Sequence, residues 1–233
     1  MPAPRTVQQR LDDARSTDAA LATHADEAAD ALHDALAPHL QDDEALTRDD
    51  LRLVLALVRR RYAAAAETLA DAAGTLADET GEDAAARDER DEAFSDALGL
   101  MTRFKATVRT QFGDAFFRTL PIESHTPRQA DRLLAEAERL LGWLDQDGTA
   151  FPASDNPFAP ALAKADVRAA LGPATERLRD ALAGLGVEER QTEAALLDKD
   201  ASLDAFDDIR SATRTLLKGL FRSVGRADVA DRV

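Results

Sequence analysis

The sequence contains no cysteine, which excludes disulfides, thiolate metal sites and cysteine nucleophiles. Glycine (11) and proline (9) are scarce and gather at a few places, so helix breakers are absent over long stretches. Aromatic residues amount to 5%, and a core must therefore be built from Leu, Ala and Val with a few Phe. Lysine is rare: Lys105, Lys164, Lys199 and Lys218 are the only four among 29 basic residues. The longest strongly apolar run, Leu53 to Val58, is far too short to span a bilayer. The start, Met1-Pro2-Ala3-Pro4-Arg5, has no apolar stretch of the secretory kind, and a cytoplasmic location is expected.

What is present is charge and alanine. The net charge of −15 makes the chain as a whole repellent to nucleic acid and to anionic lipid, so neither is an expected partner. Alanine is the strongest helix former, and 45% hydrophobic content allows a sizeable core in 233 residues.

Periodicity predicts an all-α fold of about six long, mostly antiparallel helices, as one bundle or as a four-helix bundle with a two-helix extension. In the first segment Val7, Leu11, Ala14, Leu21, Ala25, Ala28 and Leu32 recur at spacings of three and four, with Asp18 on the stripe and Pro38 near the end. The second opens at Thr47, whose hydroxyl can cap while Asp50 reaches back. There Leu51, Leu55, Val58, Tyr62, Ala65, Leu69, Ala72 and Leu76 keep a coiled-coil rhythm, and Leu53, Val54 and Leu57 widen it, as in a helix contacted on two sides. Gly81 and its acidic neighbours suggest a turn. A third segment follows through Phe94, Leu98, Met101, Lys105, Val108, Phe112 and Phe116 to Pro121. Ser124 or Thr126 is expected to cap a fourth helix starting at Pro127. A fifth, interrupted at Gly172-Pro173, ends near Gly184 to Gly186, and a sixth runs from about Glu188 to Val224.

The expected organisation is a four-helix segment over 1–144, a Pro/Gly-containing loop over 145–160, and a helical pair over 161–233 packed on the first segment. The loop holds Trp143, Phe151 and Phe158, which can anchor a partner or fold back over the bundle end.

The sharpest charged feature is in the last segment, where Arg210, Arg214, Lys218, Arg222 and Arg226 recur every four residues. At 3.6 residues per turn they form a slowly drifting basic stripe. It suits an anionic or protein partner, or else the chain's own acids at Asp12, Asp13, Asp18, Asp26, Glu27, Asp30 and Asp34. Arg59-Arg60-Arg61 cannot share one face, and its members are expected to pair with neighbouring acids. Asp18 and Lys105 interrupt apolar seams; such charges fix helix register, mark a polar pocket, or reach out to solvent.

Catalytic and metal signatures are present only in fragments. A di-iron bundle needs Glu-x-x-His pairs, and the sole relative is Asp30-Ala31-Leu32-His33; His24, His33 and His39 do not converge on one helix. Asp145-Gln146-Asp147-Gly148 matches part of a calcium loop but fails at both ends, leaving an Asp-Gly turn. Glu123-Ser124-His125 is adjacency, not triad geometry. No cofactor or metal is expected.

The tail, Leu203-Asp204-Ala205-Phe206-Asp207-Asp208-Ile209 and then Leu220-Phe221-Arg222-Ser223-Val224-Gly225-Arg226-Ala227-Asp228-Val229-Ala230-Asp231, resembles the ending of helical bacterial proteins of unknown function. The resemblance covers about the last forty residues, implies a helical fold, and brings no activity or site residue with it. The expected function is a non-enzymatic interaction protein: scaffold, adaptor or self-assembling subunit, with a protein partner or a second copy. The alternative is a bundle that binds a small molecule or anion on the basic stripe.

Overall fold

The computed structural model describes residues 6–153, 161–226 and Ala230; it is all-helical, with four helices and no strand among the described residues. They are α1 (Val7–Leu36), α2 (Arg48–Phe117), α3 (Ala130–Asp145) and α4 (Lys164–Ser223). The six segments read from periodicity reduce to four. Gly81 lies inside α2, and Pro173, Gly184 and Gly186 lie inside α4. Each glycine costs a helix about 1 kcal/mol relative to alanine, and packing of the apolar stripes outweighs that. Pro173 removes one N–H from the ladder, at a site where the buried Thr175 hydroxyl donates to the Leu171 carbonyl at 2.8 Å. The one break in α2 falls at Gly113, whose φ of 73° is open to glycine at little cost.

Helix starts follow the expected chemistry. Thr6 caps α1, its hydroxyl accepting from Gln9 N–H at 3.3 Å while the Gln9 side chain accepts from Thr6 N–H at 3.1 Å. Thr47 and Asp50 repeat this at α2: the Thr47 hydroxyl accepts from Asp50 N–H at 3.1 Å, and Asp50 Oδ2 accepts from Thr47 N–H at 2.9 Å. α1 gives way to a 3-10 turn over Ala37–His39 that contains Pro38. α3 departs from expectation. It begins at Ala130 behind Gln129, without a side-chain cap, because the 118–129 segment is committed elsewhere.

The chain divides into two compact units, Met1–Asp78 with Glu193–Val233, and Glu79–Thr192. The divisions fall inside α2 and α4, and each of these helices contributes to both units.

The first unit packs three helical stretches. α1 supplies Ala14, Leu21, Ala28 and Ala29, α2 supplies Leu55, Tyr62 and Leu69, and α4 supplies Phe206, Leu217 and Phe221, all buried. Leu55, Tyr62 and Leu69 are one heptad apart, as the seam requires. Ion pairs run along the helices in register. Asp18–Arg59, Asp30–Arg52 and Asp34–Arg48 hold α1 antiparallel to α2, while Arg10–Asp207 and Asp13–Arg210 hold it parallel to α4.

The second unit packs Ala93, Ala97, Met101, Phe104, Val108 and Phe112 of α2 against Leu133, Ala137, Leu140 and Leu144 of α3 and Val167, Leu171, Leu178 and Ala181 of α4. Between α2 and α3 the 118–129 segment doubles back along α2. Arg109 donates to the Ser124 carbonyl at 2.6 Å, Lys105 to the His125 carbonyl at 2.9 Å, and the hydroxyls of Thr102 and Thr126 meet at 3.4 Å. These contacts explain why Ser124 and Thr126 do not cap α3.

Candidate interaction site

Five places in the two units concentrate charge or exposed apolar surface. The first is a buried ion pair. Lys105 Nζ lies 2.7 Å from Glu136 Oε1, with the side chains 3% and 0% exposed. Glu136 Oε1 also accepts from Glu123 N–H at 2.6 Å, and Oε2 is buried without a hydrogen-bond partner. Lys105 thus does not reach solvent. It ties α3 and the returning segment to α2, the register-fixing role of a charge on an apolar seam. Glu136 was legible in principle: it sits three residues after Leu133 and four before Leu140, inside the inward stripe of α3.

The second is the basic stripe of α4, in the first unit. Its ends are spent on α1: Arg210 donates to Asp13 at 2.6 Å, and Arg226 pairs with Glu27. Arg222 is exposed. In the middle, Arg214 Nε is buried without a hydrogen-bond partner, and Lys218 forms no ion pair among the described residues. Both line a groove of about 370 Å³ with Asp207, Arg210, Ser211 and Thr215. Beside this stripe lies Tyr62, whose phenol is pushed up from its ordinary pKa by burial, against smaller opposing effects of Thr17, Arg210 and Arg214.

The third is the aromatic loop of the second unit. The Phe151 ring stacks on Phe112 with centroids 5.7 Å apart and planes 6° from parallel, and it touches Phe104, Phe116 and Trp143 at 5.7–6.4 Å. Lys164 clasps the turn, its Nζ donating to the Thr149 hydroxyl at 2.6 Å and to the Gln146 carbonyl at 3.1 Å. Trp143 and Phe151 are half-buried and fold over the core; Phe158 lies outside the described residues. Gly148, at φ 83°, makes the Asp-Gly turn.

The fourth is acidic. Carboxylate oxygens of Glu79, Glu82 and Glu188, on α2 and α4 within the second unit, lie within 4.8 Å of one another. A hard cation takes six or more oxygens, so these three would leave most of its shell to water.

The fifth is the outer face of α2 in the first unit. Leu53, Val54 and Leu57 are 55%, 51% and 51% exposed, turned away from the seam of Leu55, Tyr62 and Leu69. Among the described residues, the second side of contact expected of this helix is left exposed. Of the arginine triplet beside it, Arg59 is bidentate on Asp18 at 2.6 and 3.0 Å, which holds that carboxyl below its ordinary pKa. Arg60 and Arg61 are exposed and form no ion pair among the described residues.

No protein-family model, no curated protein and no solved structure matches the chain. No helix among the described residues is long and apolar enough to cross a membrane.

Proposed function

We propose that the chain is a non-enzymatic helical interaction protein, a scaffold, adaptor or self-assembling subunit, that works through the outer face of α2. The observation that carries this reading is the exposure of Leu53, Val54 and Leu57 side by side on one helix. Single exposed leucines are ordinary, whereas three neighbours on a regular helix face offer a knobs-and-holes surface to another helix. The fate of the charges supports it: the acids of α1 are paired with Arg48, Arg52, Arg59, Arg210 and Arg226, and the buried Lys105–Glu136 pair is bound into the backbone. These groups hold helices together and are not free for acid–base work.

The test is a photoreactive amino acid at position 57, introduced in the cell of origin, with position 183 on α4 as an exposed control. One discrete adduct from 57 and none from 183 is the expected result. Absence of any adduct from 57 would remove the reading.

A second reading has its own observation, the groove at Arg214 and Lys218. An anion held there would raise the melting temperature of the native chain but not of Arg214→Glu/Lys218→Glu. Equal response of both proteins to phosphate would dispose of it.

A further inference from the structure

The outer face of α2 is complementary to itself. Asp50, Leu53, Leu57 and Arg60 follow one another at spacings of three, four and three, the step of a helix seam, and all four are exposed. Read along the helix the face is acid, apolar, apolar, base. Turned end for end about the level of Leu55, it brings Asp50 to Arg60 and Leu53 to Leu57. Leu55 itself points into the chain's own core, 3% exposed, so the two seams of α2 do not compete.

We propose that the occupant of this face is a second copy of the chain, packed α2 against α2 and antiparallel about a two-fold axis, with Asp50 of each copy against Arg60 of the other. This rests on the interaction reading above and names its partner. A two-fold interface uses the same patch twice, so it requires a patch that is self-complementary in shape and charge, and this one is. A parallel pairing would place Asp50 on Asp50 and Arg60 on Arg60, two like-charge contacts. The charges at both ends are available. Arg60 and Arg61 have no ion-pair partner among the described residues. Asp50 gives Oδ2 to the Thr47 N–H and hydroxyl, and its Oδ1 has no partner among them. The cap contacts also hold the Asp50 carboxyl below its ordinary pKa, which keeps it ionised for the pairing. Three apolar side chains per copy fall short of the roughly 800 Å² per partner that tight interfaces bury, so the pair forms and dissociates with concentration.

The native chain tests this directly. By light scattering, its molar mass is expected to rise with concentration from the 25.1 kDa of one chain towards twice that value. Arg60→Asp/Arg61→Asp is expected to hold it at the mass of one chain with unchanged helicity; a dimer that survives this swap overturns the charge pairing. Since the chain has no cysteine, Leu53→Cys and Leu57→Cys each carry a single thiol. On mild oxidation an equal mixture is expected to give the mixed disulfide several times faster than either variant alone gives its own. Faster self-linking of Leu53→Cys overturns the antiparallel arrangement. A mass of one chain at every concentration, with no disulfide formed, overturns the second copy as occupant. The photo-adduct at position 57 then decides separately whether the face takes a different protein.

Discussion

Removing the ammonium of Lys105 leaves a carboxylate sealed in the core of the second unit. In Lys105→Met, Glu136 keeps one backbone donor, Glu123 N–H at 2.6 Å, but loses its counter-ion at 2.7 Å, in a site where its side chain is 0% exposed. Breaking a buried pair on one side costs about 3–5 kcal/mol, against about 0.2–1 kcal/mol for a surface pair. Domains of this length lose roughly 2–4 °C of melting temperature per kcal/mol, so the variant is expected to melt about 6–20 °C lower. Trp143, the sole tryptophan, lies in the affected unit, and urea denaturation followed by its fluorescence reads that unit. Lys105→Met/Glu136→Gln abolishes both charges and retains an acceptor for Glu123 N–H. It leaves only the His125 carbonyl without its former donor, so it is expected to recover about 1–2 kcal/mol of the loss. A cost under about 1 kcal/mol for the single variant, or a double variant less stable than the single, would refute the assignment of a buried, mutually neutralising pair.

Tyr62 is the sole tyrosine, so the phenolate absorbance reports it alone; burial raises its pKa, and the midpoint is expected above the ordinary value of about 10. Because the folded value is raised, its contribution to stability is complete below that ordinary value and disappears as pH climbs through the folded one; a midpoint at or under it would contradict the burial. Asp18 behaves oppositely: Arg59 depresses its pKa, so its contribution is complete above about 3.9 and is lost as pH falls through the folded value. Asp18→Asn is accordingly expected to cost about 0.2–1 kcal/mol at pH 7 and to narrow the gap to the native chain in acid denaturation; a gap that widens on acidification would reverse the sign. Leu69→Ala empties a fully buried seam position and is expected to cost about 2–5 kcal/mol, read by Tyr62 absorbance in urea; an unchanged midpoint would mean the seam of the first unit is misplaced.

Much of the architecture could be read from residue spacing because it is local. The capping box at Thr47, the stop at Pro38 and the heptads through Leu55, Tyr62 and Leu69 depend on neighbours within a turn or two. The missed continuity at Gly81 and at Gly184 to Gly186 has a physical origin: a glycine weakens a helix wherever it sits, and only partners distant in sequence decide whether the helix survives. The grouping of α2 and α4 stretches into two units is likewise a matter of long-range pairing. At the charged sites the pattern was visible but the partner was not. Lys105 stood out as a charge on an apolar seam, and the acid that answers it lies on another helix, within the inward stripe of α3. The stripe from Arg210 to Arg226 was plain from its period; that Asp13 and Glu27 occupy its ends, while Lys218 has no ion pair among the described residues, follows from the facing of α1 and α4. The self-complementary order of Asp50, Leu53, Leu57 and Arg60 was written in the sequence throughout, and became meaningful once Leu55 was seen to face the other way.

The make-up of the two units also sets an order of events on the ribosome. The second unit is one uninterrupted stretch, Glu79–Thr192, and has all its partners as soon as that stretch has emerged. The first needs stretches from either side of it: Leu21, Tyr62 and Leu69 are synthesised before Glu79, yet Phe206, Leu217 and Phe221 only after Thr192. Throughout that interval a nascent chain displays an unfinished apolar surface, which is the kind of surface chaperones bind and aggregates grow from. A premature stop before Phe206 would therefore spare the second unit and strand the first.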